Sequence, residues 1–225
     1  MTDLLPAAVL WDMDGTIVDT EPYWMSAETE LVESFGGVWT RADAFTLVGA
    51  GMSHSASVLN SRGVDLANDE IIERLTTRVL EHIEVAVPWR PGAKELLVGL
   101  KQAGVRTALV TMSIRRMADR IAAALPSAAV FDQVVAGDEV EHAKPHPAPY
   151  LLAAELLGVE PGECVAIEDS TPGLASAVAS GAVTIGVPLH ATLEQGLGYT
   201  IWPTLDGKTV DDIASLYVSH QASTV

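Results

Sequence analysis

The stretch that decides the fold is WDMDGT at residues 11–16, which ends the apolar run AAVLW at residues 7–11. A short apolar run that leads into a polar turn with glycine predicts a buried strand followed by a tight turn. Helices alternate with further apolar segments later in the chain, and this alternation predicts an α/β fold, a doubly wound, mostly parallel, Rossmann-like sheet. The predicted later strands are 105–111, 133–136, 164–169 and 183–187.

Strand signals are nearly absent from residues 19–88, where the apolar spacing is helical. We therefore predict a core made of residues 1–18 and 89–225, interrupted by a helical insert at 19–88. Within the insert, Thr20 is expected to cap the first helix and glycines to break 40–62 into short helices. The predicted breaks are Gly49, Gly51 and Gly63. The tail after Ser219 is expected to fray.

Composition narrows the range of partners. The 225 residues include 30 acidic and 13 basic side chains, for a net charge of −17. This charge argues against binding to nucleic acid or to an anionic membrane surface. A single cysteine, Cys164, suits a reducing compartment, and we expect its thiol to be buried and without chemistry. The N-terminal residues resemble no signal peptide, so we expect a cytoplasmic protein that is a monomer or a small homo-oligomer.

Polar residues follow four of the predicted strands or lie in loops beside them, where ligands of a parallel sheet bind. They are Asp12 with Asp14, Thr111 with Ser113, Lys144, and Glu168 with Asp169. In this order they resemble the four motifs of the haloacid dehalogenase-like superfamily of phosphotransferases. The insert resembles the helical cap of the β-phosphoglucomutase-like and phosphoglycolate phosphatase-like branch.

The chemistry of such a set can also be argued from the residues. A carboxylate can attack phosphorus and form an acyl phosphate, and a cation such as Mg²⁺ must then separate two anions. We expect Asp12 to be nucleophile and metal ligand, and Asp14 to be general acid and base. The resemblance adds the backbone carbonyl of Asp14 as a metal ligand. Gly15 permits the turn, and Thr16 is expected to brace it by hydrogen bonds.

The second and third motifs are predicted to bind phosphate. The Thr111 hydroxyl is expected to donate to a phosphoryl oxygen, and the backbone amides of Met112 and Ser113 to do so from the start of the next helix. The alternative is that Ser113 is only a helix cap. Lys144 is expected to hold the nucleophile and the transferred group together by its charge.

The fourth motif supplies the remaining acids. By resemblance Asp169 is a direct metal ligand, while Glu168 binds the metal either directly or through water. The alternative is that both acids merely cap helix 171–180. The acids of the site carry more negative charge than Lys144 can neutralise. The charge of the site therefore balances only when a divalent cation is bound.

Two segments of the insert are candidates for substrate specificity. The stretch LVGAGMSHS at 47–55 resembles the specificity loop of this branch, with Gly51 loosening the backbone and three following side chains facing the leaving group: Met52, Ser53 and His54. Tyr23 and Trp24 are candidates for a sugar-stacking wall. A plain inter-helix turn and a core tryptophan are the structural alternatives.

These features predict a Mg²⁺-dependent phosphatase that hydrolyses a small phosphorylated metabolite, such as a sugar phosphate, through an aspartyl phosphate. One alternative is a sugar-phosphate mutase of the β-phosphoglucomutase type. That branch typically has a cap histidine where Trp24 stands and uses a cap lysine, whereas 19–88 contains no lysine. A second alternative is a catalytically silent phosphate-binding or phospho-acceptor signalling protein.

Overall fold

The computed structural model describes residues 5–48, 50–126, 130–196 and 198–223. Gly49, one of the predicted helix breaks, lies outside the described residues. The chain divides into two compact units, one formed by residues 1–18 with 89–225 and the other by residues 19–88. None of the described helices is long and apolar enough to cross a membrane.

The first unit is built on a parallel sheet of six strands, which confirms the predicted α/β class. Its spatial order is β3-β2-β1-β4-β5-β6. The strands are β1 (Ala8–Trp11), β2 (Arg106–Val110), β3 (Gln133–Val135), β4 (Cys164–Glu168), β5 (Val183–Gly186) and β6 (Tyr199–Ile201). The order reverses between β1 and β4, and doubly wound sheets bind ligands beyond the carboxyl ends at such a point.

The register of the central strands brings the predicted motifs to the same level. Trp11, the last residue of β1, pairs with Leu109 of β2 on one side and with Ile167 of β4 on the other. The residues that follow these three strands therefore leave the sheet at the same edge. Because the three strands are almost wholly buried, that edge is a desolvated place for polar side chains.

Helices cover this sheet. Ala8 and Leu10 of β1 pack in one buried cluster with Tyr150 and Ala153, and Cys164 belongs to the same cluster. As predicted, the Cys164 thiol is buried, and burial raises its pKa to about 12. The helices of this unit are α5 (Ala93–Gln102), α6 (Arg115–Ala123), α7 (Ala148–Leu157), α8 (Thr171–Ser180) and α9 (Val210–Ser223).

The chain end differs from the prediction. The tail after Ser219 was expected to fray, yet α9 continues to Ser223, and the Gln221 amide donates to the Gly162 carbonyl over 3.0 Å. The side chain of Asp212 accepts from the Thr209 amide over 2.9 Å and so caps the start of α9. This Thr-x-x-Asp signal was available in the sequence. Contrary to the expectation, residues 220–223 are therefore helical, with the Gln221 contact to hold them, while 224 and 225 lie outside the described residues.

The second unit is helical, with α1 (Glu21–Ser34), α2 (Arg41–Phe45), α3 (Met52–Ser61) and α4 (Asn68–Val85). Thr20 stands at the start of α1, but its side chain makes no capping hydrogen bond because its backbone is already helical. Thr40, by contrast, forms a full capping box with Asp43 at the start of α2. Helix α4 packs on both α1 and α3, so it is the central element of this unit.

One carboxyl group is buried inside the second unit. Glu28 on α1 is only 4% exposed, and its Oε2 accepts a hydrogen bond from the Trp39 indole over 3.1 Å. Burial raises the pKa of Glu28 to about 7, while the bond from Trp39 lowers it by a smaller amount. At neutral pH this group therefore lies close to its point of ionisation.

We predict that Glu28 makes the protein less stable as the pH rises from about 4.5 to about 7. Because its pKa is higher in the folded than in the unfolded chain, the folded state holds the extra proton, and its stability falls as that proton is lost. Glu28→Gln keeps an acceptor for Trp39 without a titrating proton. Relative to the unsubstituted protein it should gain on the order of 2 kcal/mol between about pH 5 and about pH 8 in urea unfolding.

The control for this experiment is Glu33→Gln, which changes an exposed glutamate on the same helix. It should leave the pH dependence of unfolding as it is. If Glu28→Gln and Glu33→Gln gave the same pH dependence as the unsubstituted chain, Glu28 would not be the titrating group.

Candidate active site

The carboxyl edge of the first unit is organised around a buried ammonium group. The Lys144 Nζ donates to Asp12 Oδ1 over 2.8 Å, to Glu168 Oε1 over 2.7 Å and to the Val110 carbonyl over 2.8 Å. Its side chain is 5% exposed. Burial alone would lower the pKa of Lys144, but the charges of Asp12 and Glu168 raise it above its usual value. Lys144 is thus a fixed positive charge between two acids.

Glu168 is fully buried and both of its carboxylate oxygens are occupied. Oε1 accepts from Lys144 and from the Tyr150 hydroxyl, the latter over 3.0 Å. Oε2 accepts from the backbone amides of Asp169 and Ser170 over 3.1 and 3.2 Å, and from the Ser170 hydroxyl over 3.1 Å. A carboxylate with this many donors is held in one orientation. In this arrangement Glu168 anchors Lys144 and the start of α8.

Asp12 has one oxygen left over. Its Oδ2 is buried and has no hydrogen-bond partner among the described residues. Carboxylate oxygens of Asp12, Glu168 and Asp169 lie within 4.8 Å of one another. Burial and, to a smaller extent, the charge of Glu168 raise the pKa of Asp12 to about 7, against the lowering effect of Lys144. An ionised carboxylate oxygen can accept hydrogen bonds but cannot donate them. When such an oxygen has no hydrogen-bond donor near it and lies among other acids, it is a suitable ligand for a hard cation.

This cluster fits Mg²⁺, which prefers oxygen ligands and is commonly held by one or two carboxylates. Asp12 Oδ2 is unpartnered and Asp169 stands beside it, while Glu168 is already saturated with donors. Burial raises the pKa of Asp169 well above its usual value, and the charges of Asp12 and Glu168 add to the rise. A bound cation would offset this repulsion and keep both aspartates ionised.

Thr111 and Ser113 both contact the second acid of the first motif. The Ser113 hydroxyl donates to Asp14 Oδ2 over 2.7 Å, and the Thr111 hydroxyl donates to the same oxygen over 3.3 Å. The Thr111 oxygen also accepts from the Ser113 amide over 3.0 Å. The two hydroxyl residues therefore orient Asp14 in this structure, and their contact with phosphate stays a prediction.

The start of the helix after β2 was predicted wrongly. Met112 and Ser113 were expected to open it, but α6 begins at Arg115 after Ile114, whose backbone is extended. The side chain of Asp138 accepts from the Arg115 amide over 2.9 Å and so takes the capping role that was the alternative interpretation of Ser113. The cap comes from a loop 23 residues away, and no local pattern could reveal it.

The Met112 side chain makes a contact that the sequence did not predict. Its thioether sulfur accepts from the Lys144 amide over 3.4 Å. A Cβ on Gly137 would come within 2.2 Å of the Met112 carbonyl oxygen, so the two loops meet closely at that glycine. The Met112 side chain thereby helps to place the loop that carries Lys144.

The turn of the first motif is close to the fourth motif. Gly15 has a φ of +89°, and a Cβ there would lie 2.0 Å from a carboxylate oxygen of Asp169. Glycine is thus required both by the backbone conformation and by the close approach. Thr16 does not brace the turn as predicted, because its buried hydroxyl has no partner among the described residues; instead its amide donates to the Met13 carbonyl.

Two residues of this region were not singled out from the sequence. Tyr150 lies on α7 with its hydroxyl on Glu168 and its ring 5.0 Å from the Lys144 Nζ. A tyrosine on the buried face of a mostly apolar helix is a signal, because a buried hydroxyl needs a partner. Arg90 is 9% exposed and donates to backbone carbonyls, including that of Gly15. No signal in the WRPG segment pointed to this role.

The candidate specificity residues all lie in the second unit. The Tyr23 hydroxyl donates to the Ala86 carbonyl over 3.0 Å, and its ring stacks on His82 at 5.0 Å between centroids. Trp24 is half-buried on α1. Gly51 precedes α3, whose first turn contains the other three candidates, Met52, Ser53 and His54. A contact between these residues and a substrate stays a prediction.

The parallel α/β sheet thus carries a buried acid–lysine centre at its switch point. The sequence model of the haloacid dehalogenase-like hydrolase family matches residues 6–181, which is most of the chain. The protein belongs to this family of hydrolases, and the family predicted from the four motifs is confirmed.

Curated relatives are named as phosphatases or as CbbY proteins. Over 184 residues the chain is 29% identical to hexitol phosphatase B of Escherichia coli K12, covering 80% of this chain and 83% of the relative. It is 30% identical to the CbbY protein of Rhodobacter capsulatus, covering 93% and 98%. A solved structure of a CbbY mutant from Rhodobacter sphaeroides with xylulose-(1,5)bisphosphate aligns with a TM-score of 0.84 and 26% identity, covering 93% of this chain and 99% of that one.

We predict that Lys144→Met destabilises the metal-free protein by about 3–5 kcal/mol in urea unfolding. The substitution leaves two buried carboxylates, Asp12 and Glu168, without their shared cation, which is the costly way to break a buried ion pair. The double variant Lys144→Met with Glu168→Gln should recover part of the loss, because one unpaired charge is gone.

Lys101→Met is the matched control, since Lys101 makes one exposed ion pair with Asp132. Its cost should stay within about 1 kcal/mol. Equal costs for Lys144→Met and Lys101→Met would contradict the dependence of the acidic cluster on Lys144.

Proposed function

We propose that the protein is a Mg²⁺-dependent phosphatase that hydrolyses a small phosphorylated metabolite, such as a sugar phosphate, through an aspartyl phosphate on Asp12. The observation that carries the proposal is the state of the Asp12 carboxylate. One oxygen is held by Lys144, and the other is buried beside Asp169 with no hydrogen-bond partner in the part of the chain that the structure describes.

In the first half-reaction Asp12 would attack the phosphorus atom of the ester. A bond forms between its carboxylate oxygen and phosphorus, and the bond from phosphorus to the alcohol oxygen breaks. Asp14 gives its proton to that oxygen, so that the product leaves as a neutral alcohol. Lys144, which is hydrogen-bonded to the Asp12 carboxylate, offsets negative charge around the reacting group.

In the second half-reaction a water molecule would attack the phosphoryl group on Asp12. Asp14 takes a proton from the water, inorganic phosphate is released and Asp12 is regenerated. The hydroxyls of Ser113 and Thr111, which both contact Asp14 Oδ2, would keep that carboxylate in place for both proton transfers.

Asp12 and Asp169 would hold the Mg²⁺, together with the Asp14 carbonyl suggested by the family pattern. When bound, the metal supplies positive charge that screens the nucleophile from the phosphate. Glu168 would contribute through Lys144 and the α8 amides, since its oxygens already have donors. The Thr111 hydroxyl and the Met112 amide remain the proposed phosphate contacts, whereas the Ser113 amide would have to leave the Thr111 oxygen, to which it donates over 3.0 Å, before it could bind phosphate.

A sugar phosphate or a similar monoester is the proposed substrate class. Relatives named hexitol phosphatase and phosphorylated carbohydrates phosphatase support it. The helical unit at 19–88 would serve as the specificity domain, and its candidate residues would select the leaving group. A mutase is less favoured, because 19–88 has no lysine and carries Trp24 in place of the expected histidine.

We predict that Asp12→Asn lowers phosphatase activity by at least about 1000-fold, since the variant has no carboxylate nucleophile. Removing divalent metal with a chelator should abolish turnover of the unsubstituted enzyme, and added Mg²⁺ should restore it. The measurement is release of inorganic phosphate from a panel of sugar, hexitol and other small monoesters.

Asp119→Asn is the control, because Asp119 is an exposed aspartate of α6 that pairs with Arg115. It should keep full activity. Full turnover by Asp12→Asn, or in excess chelator, would refute the proposed mechanism. Fast conversion of β-glucose 1-phosphate to the 6-phosphate with a bisphosphate primer, without phosphate release, would favour the mutase instead.

A further inference from the structure

Arg90 is a buried cation that neither the sequence motifs nor the mechanism above uses. It is 9% exposed and lies in the segment between the end of residues 19–88 and α5. Its guanidinium donates to the carbonyl oxygens of Gly15, of Val187 over 2.9 Å and of Pro188 over 3.1 Å. A buried guanidinium is costly unless its donors are used, so this geometry indicates a specific role.

The three carbonyls belong to two separate loops at the carboxyl edge of the sheet. Gly15 is in the turn of the first motif, and Val187 and Pro188 follow β5. The Val187 amide also donates to the Glu168 carbonyl over 2.7 Å, which ties that loop to the fourth motif. Arg90 therefore joins the two loops, and its own amide donates to the Ile17 carbonyl at the other end of the turn.

Gly15 transmits this connection to the acids. Its Cα is so close to Asp169 that a Cβ would overlap the carboxylate, and it follows Asp14 directly in the chain. Because Arg90 holds the Gly15 carbonyl, it fixes the backbone of Gly15, against which Asp169 packs. It also fixes the peptide that follows Asp14. The guanidinium charge also acts on Asp169. Burial is the largest cause of the raised pKa of Asp169, and the charge of Arg90 is one of those that lower it.

We propose that Arg90 is a positioning residue that pre-forms the metal site by fastening the Gly15 turn to the loop after β5. It would hold the turn in its metal-binding form before the cation arrives, without contacting substrate. The inference rests on the proposed function, because it assumes that Asp12 and Asp169 bind Mg²⁺. Arginine suits the role because its planar guanidinium group can donate to three acceptors in different directions at once. The compact ammonium group of a lysine cannot reproduce this arrangement of hydrogen bonds.

The test is calorimetric titration of the full chain with Mg²⁺ alone, without substrate, in the unsubstituted protein and in Arg90→Gln. We expect Arg90→Gln to weaken Mg²⁺ binding by about 10- to 100-fold, the range typical of groups that orient metal ligands. Arg90→Lys keeps the positive charge but not the planar guanidinium group. Its Mg²⁺ affinity should be lower than that of the unsubstituted protein by at least about fivefold. Near-ultraviolet circular dichroism reports the folded fraction of each sample.

Arg106→Gln is the matched control. Arg106 also donates its guanidinium to a backbone carbonyl, that of Leu157, but it stands at the opposite end of β2 from the acids. Its Mg²⁺ affinity should stay within about twofold of the unsubstituted value, by the same reasoning. This control distinguishes the general effect of losing an arginine–carbonyl contact from the specific effect of losing the contacts of Arg90.

The outcomes distinguish the inference from the proposed function. Unchanged Mg²⁺ affinity in folded Arg90→Gln, or full affinity in Arg90→Lys, would overturn the positioning role and leave the phosphatase proposal intact. No Mg²⁺ binding by the unsubstituted protein would overturn both. If Arg90→Gln does not fold, Arg90→Lys decides: weakened binding supports the inference and full binding refutes it.

Discussion

The interaction on which the rest of the first unit depends is the Lys144 ammonium held between Asp12 and Glu168. Three acids converge at the carboxyl ends of neighbouring strands, and burying them together is unfavourable without positive charge. Lys144 supplies one charge at hydrogen-bond distance from two of them. Within the described residues one oxygen of Asp12 is left without a hydrogen-bond partner, so the contacts that stabilise the site also leave an acceptor for the proposed cation. Stability and proposed chemistry thus have the same physical origin.

Close approach of backbone to side chain is the second constraint. Gly15 meets the Asp169 carboxylate, Gly137 meets the Met112 carbonyl, and a Cβ on Gly173 would overlap the Glu168 carboxylate. Larger residues at these positions would push the motif loops apart. The glycines therefore act together with the ion pairs, since the loops must be near one another before the charges can interact at short range.

The sequence was a good guide where the information is local. The apolar run before Asp12 and the alternation of helices and strands were enough to predict a parallel sheet, and the motif order was enough to predict the family. Errors arose where a distant residue decides the outcome. Asp138 caps α6 from another loop, so Ser113 is free to contact Asp14 instead. The C-terminal helix was not predicted, although Thr209 and Asp212 form a readable start signal.

The sequence by itself determined the class of fold, the order of the motifs and the identity of the acids, because these follow from hydrophobic patterning and from residue type. Only the tertiary structure decided which donor meets which carboxylate. Tyr150 on Glu168 and Arg90 on the Gly15 turn depend on strand register and on where helices and loops return to the sheet edge. Such contacts join residues 18 and 75 positions apart, and no local spacing encodes them. The assignment of Glu168 as an anchor for Lys144 likewise required its neighbours in three dimensions, since the donors on its two oxygens come from three separate segments of the chain.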